Sequence, residues 1–217
     1  MALTTNDLHT ALAYRLGETS TPNDSTTKAI RLEWMNQGYF NLARRRNWWW
    51  LEATDTTNTN TGSTSGYTEP TGLKEFIELK VGDGYYDQIP YKSNRLGSTS
   101  VVTLPKFRLA KQFYRFGGKY FFTETDNADG TVHTIKFYKR VIKTADGGTF
   151  LVPDEYLEAL VAYAEARYWL SITQQAKAVV PFQEYEEMFA EMNREQNRRG
   201  TGWSGFGIGE PEDQFGD

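Results

Sequence analysis

Residues 28–50 read KAIRLEWMNQGYFNLARRRNWWW, and this stretch decides the first half of the fold. The residues at steps of three and four are apolar, which is the spacing of one helix face: Leu32, Met35, Tyr39 and Leu42. Trp49 continues this stripe two turns on. The pattern predicts one long amphipathic helix that starts after an N-cap at Asp24 or Ser25 and ends in the tryptophans 48–50.

Further helical patterns lie near both ends of the chain. Apolar residues from Asn6 to Leu16 follow helical spacing, and Gly17 stands where a left-handed residue would end the helix. A second strong pattern predicts a helix over Glu155 to Thr173 with Asp154 as its cap. Another helix is predicted to begin near Pro181, because proline is tolerated in a first helical turn.

The middle of the chain has the pattern of a β-sheet. Short β-rich pieces there are separated by glycine-containing turns, and they predict four strands: Phe76–Val81, Phe113–Phe116, Lys119–Thr123 and Thr131–Tyr138. The turns at Gly117-Gly118 and Asp129-Gly130 predict two hairpins, because a turn with positive φ matches the twist of paired strands. Residues 54–66, TDTTNTNTGSTSG, are too polar to bury, so we expect a mobile loop or hairpin tip.

These patterns together predict an α+β protein. We expect N- and C-terminal helices to form a helical bundle, with an inserted antiparallel β domain and an extended C-terminal tail. The expected divisions are residues 1–52 for the first helices, 53–150 for the β-rich insertion, 151–199 for the last helices and 200–217 for the tail.

Composition excludes several functional classes. The chain has 217 residues, no cysteine and a formal net charge of -4. The lack of cysteine excludes disulfides and thiolate chemistry and is typical of proteins that mature in reducing cytoplasm. With a net negative charge, the chain as a whole has no excess of basic residues to support tight, sequence-specific binding of duplex DNA. No long apolar run and no signal-peptide pattern occurs, so we expect neither membrane insertion nor secretion.

We expect no catalytic residue, no metal site and no cofactor. A serine triad needs a histidine near its nucleophile, and neither His9 nor His133 lies in a GxSxG or comparable setting. Two histidines without cysteines also make a zinc site improbable, so His133 is expected to be an ordinary strand residue. Residues 125–136 have a calcium-loop glycine at Gly130, but the twelfth position is Lys136 instead of a carboxylate.

Three consecutive arginines end the first long helix. Successive residues are rotated by about 100°, so Arg44, Arg45 and Arg46 fan over about 200° and cannot share one face. Each is expected to meet a different environment: solvent, a carboxylate on a neighbouring helix or subunit, or a phosphate. We consider all three as candidate contacts at a subunit interface or in a DNA lumen. The tryptophans 48–50 diverge likewise, so at least one is expected in the core.

The C-terminal stretch, GTGWSGFGIGEPEDQFGD, combines large apolar side chains with a glycine-rich backbone. Such a backbone holds neither a helix nor a regular strand, so we expect it to be disordered in isolation. Its apolar residues are costly to expose to water, and we expect them to anchor a partner: Trp203, Phe206, Ile208 and Phe215. The alternative is a disordered terminus whose aromatic residues have no binding role.

The succession of these segments resembles the head-to-tail adaptor (connector) proteins of tailed bacteriophages. In that family a long helix ends in an Arg-Arg-x-Trp type sequence, here Arg45-Arg46-Asn47-Trp48. A later helix opens on a Pro-x-x-Phe/Tyr sequence, here Pro153 to Tyr156, within FLVPDEYLEALVAYAEARYW at residues 150–169. The large insertion at residues 62–148 makes the chain most similar to the adaptor ring of short-tailed phages.

The resemblance implies a virion structural protein at the head–tail junction, assembled in the host cytoplasm, and not an enzyme. It implies a homo-oligomeric ring, typically a dodecamer, between the portal protein and the tail nozzle or tail fibre proteins. Genomic double-stranded DNA would pass through its channel without sequence-specific binding, during packaging, retention and ejection. The tail at residues 200–217 would reach the portal.

An alternative from a different class is a β-rich virion protein that binds or cleaves host surface glycan through the aromatic loops of the middle region. Paired carboxylates for glycoside cleavage stay open at this point, because their separation in space is not visible in a sequence. A third possibility, single-stranded DNA binding, conflicts with the acidic charge.

Overall fold

The structure is a computed structural model, and it describes residues 4–22, 24–63, 65–89, 111–123 and 129–201. The chain divides into two compact units. Residues 1–50 and 143–217 form the helical unit, and residues 51–142 form the sheet unit. The fold is therefore α+β, as predicted. None of the helices in these described ranges is long and apolar enough to cross a membrane.

The helical unit contains four α-helices among the described residues: α1 (Thr5–Arg15), α2 (Ser25–Arg45), α3 (Leu157–Ser171) and α4 (Gln175–Thr201). Helix α3 is the common element, because it contacts the other three. Four alanines of α3 are fully buried, which lets its neighbours approach closely: Ala159, Ala162, Ala164 and Ala166. At Gly38 of α2, an added Cβ would lie 3.0 Å from the Tyr163 ring of α3, so a larger residue here would force that ring to shift.

The segment that returns to the helical unit after the sheet is joined to the first two helices by buried polar contacts. Asn36 is fully buried, and its side chain exchanges hydrogen bonds with the backbone of Thr144 at 2.8 and 3.1 Å. The Thr5 hydroxyl accepts a hydrogen bond from the Gly147 N–H at 2.8 Å. These contacts satisfy polar groups that would otherwise be costly to bury.

The sheet unit has seven described strands: β1 (Glu52–Asp55), β2 (Tyr67–Thr68), β3 (Leu73–Val81), β4 (Gly84–Gln88), β5 (Lys111–Phe116), β6 (Lys119–Phe122) and β7 (His133–Lys139). Their order in the sheet is β1-β7-β3-β4-β5-β6-β2. The prediction of an antiparallel sheet is right for all these pairings except β4 with β5, which is parallel. The four predicted strands are all present, and alternate residues fill the core with aromatic and aliphatic side chains.

The first long helix is correctly predicted at its start and wrongly at its end. Asp24 is the N-cap, and its carboxylate accepts a hydrogen bond from the Thr27 N–H at 2.7 Å. The helix ends at Arg45 because Arg46 has extended backbone angles, and a separate single-turn helix covers Trp49–Leu51. The tryptophans therefore do not continue the α2 face.

Two predictions for the later helices are wrong. Helix α4 begins at Gln175 and contains Pro181 in its interior, although proline removes one helical hydrogen bond. Pro181 is buried, and packing of α4 against α3 offsets the lost bond. Asp154 does not cap α3; it lies in a single-turn helix, Asp154–Tyr156, directly before it.

Two predictions for the middle region are also wrong. The hairpin at Gly117-Gly118 is confirmed, but β7 after Asp129-Gly130 pairs with β1 and β3 and not with β6. The segment at residues 54–66 is not uniformly exposed, since its start belongs to β1 and Asn60 is buried. Asn60 is buried because its backbone and side chain find hydrogen-bond partners there.

Helices α1 and α3 end in the same hydrogen-bonded turn with different residues. In each turn one residue has a left-handed conformation, and the next N–H donates to the carbonyl five positions earlier, at 2.9 Å. Gly17 occupies the left-handed position after α1, with φ of 75°, as predicted. Thr173 occupies it after α3, with φ of 58°. A β-branched residue is strained in that region.

We predict that Thr173→Gly raises the free energy of unfolding by about 1 kcal/mol, because glycine adopts this conformation without strain. The reciprocal variant, Gly17→Thr, should lose about 1 to 2 kcal/mol. A Cβ at Gly17 would meet no atom within 4 Å, so the decrease in the free energy of unfolding would measure backbone strain without a steric clash. Urea unfolding followed by circular dichroism measures both, and a neutral or destabilising Thr173→Gly would contradict the assignment of strain.

Candidate functional site

Trp48 is the centre of a cluster where α2 ends. Its side chain is fully buried, and its Nε1–H donates a hydrogen bond to the Leu42 carbonyl at 2.7 Å. This bond satisfies one of the carbonyls that a helix end leaves unpaired. Its ring packs edge-on against Phe189 of α4, with centroids 5.7 Å apart. The prediction that at least one of the three tryptophans is in the core is confirmed.

The neighbouring arginines attach this helix end to α4. Both terminal nitrogens of Arg45 donate to the Glu186 carboxylate at 2.6 Å, and the guanidinium lies 4.5 Å from the Phe189 ring centroid. Arg46 donates to the amide oxygens of Asn193 and Asn197 at 3.0 and 2.9 Å. The hydrogen bonds from Arg45 hold the pKa of Glu186 below its ordinary value, which keeps this carboxylate ionised.

Trp49 extends the attachment along α4. Its backbone N–H donates to the Gln196 side chain at 2.9 Å, and Arg199 lies over its ring at 4.8 Å. Tyr156 donates to the Glu195 carboxylate at 2.6 Å. Hydrogen bonds from Tyr156 and then Arg199 lower the pKa of Glu195. We call this set of contacts, made by residues 45–49 and Tyr156 with residues 186–199, the clamp.

The clamp borders an open, charged groove at the end of α4. Its volume is about 580 Å³, and its lining is mostly charged: Tyr156, Glu191, Arg194, Glu195, Arg198 and Arg199. Charged walls and an open mouth do not suit an apolar small-molecule ligand. The described residues contain no group of three histidine, aspartate or glutamate side chains that could hold a metal ion.

The residues predicted as functional are distributed as follows. Arg44 is exposed on the last turn of α2, whereas Arg45 and Arg46 contact α4 of the same chain. The proposed anchor residues lie outside the described residues: Trp203, Phe206, Ile208 and Phe215.

Sequence reasoning missed the side of α4 that receives the arginines. Glu186, Asn193 and Asn197 recur at steps of seven and four, which places them on one helix face. That spacing was visible in the sequence, but nothing in it indicated which distant segment those side chains would meet.

A second polar cluster lies inside the sheet unit. His133 is fully buried among the rings of Tyr67, Tyr120 and Phe122, with centroids 4.5 to 5.8 Å away. Its Nδ1 lies 2.6 Å from the Tyr120 hydroxyl, and its backbone N–H donates to the Asn58 carbonyl at 2.9 Å. Burial lowers the pKa of His133 to about 4, so the imidazole is neutral at neutral pH. The imidazole therefore belongs to the packed interior of the sheet unit.

A comparison with models of protein families matches residues 3–205 to the family described as SU10 adaptor protein. The match includes the clamp, all the described helices and the sheet unit, and it covers nearly the whole chain. A search among curated proteins finds no match.

We predict that Trp48→Phe lowers the free energy of unfolding by about 2 kcal/mol, because it removes both buried volume and the hydrogen bond to Leu42. Trp50→Phe is the matched control, because the Trp50 Nε1 is buried without a hydrogen-bond partner among the described residues. Its cost should stay below about 1 kcal/mol. Urea denaturation measures the difference, and equal costs would contradict the role of the Trp48 bond.

We predict that the sheet unit loses stability in mild acid. The folded-state pKa of His133 is about 4, below the ordinary value of 6.5. The unfolded chain therefore binds a proton first, and the stabilisation, complete above pH 6.5, declines as pH falls towards 4. The expected loss between pH 7 and pH 5 is roughly 2 kcal/mol in urea unfolding. His133→Asn should flatten this dependence, and an unchanged dependence in that variant would refute its origin in His133.

Proposed function

The chain belongs to the SU10 adaptor protein family, and we propose from this membership that it forms a closed ring joining the portal to the tail. The predicted resemblance to phage adaptors is confirmed at the level of the family, so the chain is a structural adaptor protein of a phage virion. An adaptor at the head–tail junction contacts other virion proteins, such as portal and tail proteins. The number of subunits, the channel and the anchoring residues belong to the proposal.

The clamp is the observation that supports this proposal best. It attaches residues 186–197 of α4 to the end of α2 through two arginines and the packing of the buried Trp48 on Phe189. The tail follows directly in sequence on the helix that the clamp supports. A tail with several apolar side chains, presented from a fixed point, is suited to reach a neighbouring protein and bury them there.

Ring closure supplies the binding strength. In the proposed ring the helical unit packs as a bundle, and each subunit makes the same head-to-tail contact with the next, so about twelve copies close a channel. Twelve tails that bind one portal ring act together, so each contact can be weak while the assembly is strong. The sheet unit then contacts the nozzle or fibre proteins.

The arginines take separate roles in this proposal. Arg45 and Arg46 support α4 within the subunit, while the exposed Arg44 is available to a neighbouring subunit or to phosphates of DNA in the channel. The acidic chain does not grip the DNA backbone, so the genome passes without being retained by charge.

The glycan-binding alternative has less support. It needs aromatic side chains on the surface of the middle region, where Tyr85 and Phe116 are exposed but Tyr67, Tyr86, Phe113 and Tyr120 lie in the core. The family match gives this alternative no support.

We predict that the purified protein binds portal rings in a fixed ratio near one subunit per portal subunit, with the mass measured alone and after mixing. The variant Trp203→Ala with Phe206→Ala should lose most of this binding, because it removes two apolar anchors. Tyr14→Ala, which removes an exposed aromatic side chain of α1, is the matched control and should bind normally. Full binding by the double variant would exclude those two residues as principal anchors.

A further inference from the structure

Arg167 is a half-buried arginine of α3 that has no acceptor among the described residues. Its Nε is shielded from solvent without a hydrogen bond, and its guanidinium makes no ion pair or ring contact within the described part of the chain. The other buried or half-buried arginines that the structure describes all have acceptors in the same chain: Arg15, Arg31, Arg46 and Arg115. A shielded charged donor without an acceptor is costly, so we expect a pairing group from another molecule.

The contacts of a neighbouring turn place Arg167 between α2 and α4. Tyr163, one turn earlier on α3, lies against Gly38 of α2 and packs on Phe182 of α4 with ring centroids 5.8 Å apart. Residues one turn apart share a helix face, so the Arg167 side chain starts from the same recess between α2 and α4. Its terminal nitrogens are not enclosed as Nε is, so the recess opens to solvent.

Three exposed apolar side chains border this recess: Ile30, Ile172 and Val179. Ile30 lies one turn before Trp34, which packs edge-on against α3. Ile172 directly follows the last residue of α3. Val179 lies level with Arg167, because the antiparallel α4 brings Lys177 over the Trp169 ring at 4.4 Å. An arginine bordered by apolar side chains has the composition of the core of a protein interface.

The opposite side of the subunit carries a carboxylate that is also unpaired. Glu158, in the first turn of α3, is exposed and has no hydrogen bond or ion pair with a described residue. It is not among the residues that line the charged groove at the end of α4. Glu158 and Arg167 are nine positions apart, a rotation of about 900°, so they leave α3 on opposite sides. A head-to-tail contact joins two different surfaces of identical subunits, and these two residues meet that condition.

We propose that Glu158 of one subunit enters the recess of the next subunit and pairs with its Arg167. One carboxylate accepts two parallel hydrogen bonds from one guanidinium, and the apolar border excludes water around the pair. A side-chain carboxylate enters a recess between helices, whereas a duplex phosphate stays on its backbone, so the acceptor is assigned to protein. This inference rests on the proposed ring and names a contact that is repeated between successive subunits.

Charge reversal in the full chain tests the pair. Arg167→Glu and Glu158→Arg should each weaken self-association about tenfold or more, because each contact then opposes like charges. An equal mixture of the two variants should associate as the natural chain does, because every contact in an alternating arrangement again pairs opposite charges. Sedimentation velocity measures association of the chain alone and on portal rings.

Matched controls make the same charge changes elsewhere. Arg140→Glu and Glu187→Arg lie at exposed positions and should change self-association less than about twofold. An equal effect of these controls would show that net charge, and not the pair, governs the association, and it would overturn the proposal.

A stability measurement separates this role from a role inside the subunit. Arg167→Gln should leave the free energy of unfolding of the dilute chain nearly unchanged, because no described group pairs with Arg167. Arg31→Gln should lower it, because the Arg31 guanidinium is buried and pairs with Glu18. Arg167→Gln should still weaken self-association, so the test holds even where Arg167→Glu does not fold. An equal loss of stability in both glutamine variants would overturn the proposal.

The remaining outcomes distinguish this contact from the ring itself. Self-association that is insensitive to both charge reversals would exclude the pair and leave the ring intact. Association that is lost in both single variants and not recovered in their mixture would exclude Glu158 as the acceptor. A natural chain that does not self-associate, either alone or on portal rings, would overturn the ring together with this contact.

Discussion

The helical unit depends on the burial of one indole ring at a place where no helix continues. Once α2 ends at Arg45, the chain turns, and Trp48 fills the space between α2 and α4 while its N–H satisfies a carbonyl of the last turns of α2. This single placement fixes the direction of the residues around it. Arg45, Arg46 and Trp49 can then reach residues 186 to 197 of α4, a span of about three turns. A sequence that looks like a basic patch therefore makes an intramolecular contact between two helices.

Sequence periodicity predicted correctly which residues of a single helix or strand are buried. The stripe through Met35, Tyr39 and Leu42 is buried as predicted, and so is the start of α2 at Asp24, because caps and helix faces depend on neighbours a few residues away. The family was identified from segment order and two short motifs. These sequence patterns depend on residues that are close together in the chain. They predict the structure correctly where the local preference and the tertiary structure agree.

The predictions that failed were those in which distant contacts outweigh a local preference. Pro181 is a poor interior helix residue, yet its packing keeps it there. The parallel pairing of β4 and β5 joins consecutive strands that are 22 residues apart, and no short turn motif encodes such a pairing. The partners of Arg45 and Arg46 are separated from them by about 140 to 150 residues, a distance over which a single sequence carries no pairing signal.

The interruption of the helical unit by the sheet unit has a consequence for synthesis on the ribosome. The sheet unit is continuous in sequence, so all its strands are available once residue 142 has emerged. Helices α1 and α2 are synthesised first, but both pack on α3, which is synthesised later. The hydrogen bond between Asn36 and Thr144 likewise cannot form until Thr144 has been synthesised. The later-made sheet can therefore fold co-translationally before the helices that precede it, and the nascent N-terminal segment must stay soluble until the second half of its own unit arrives.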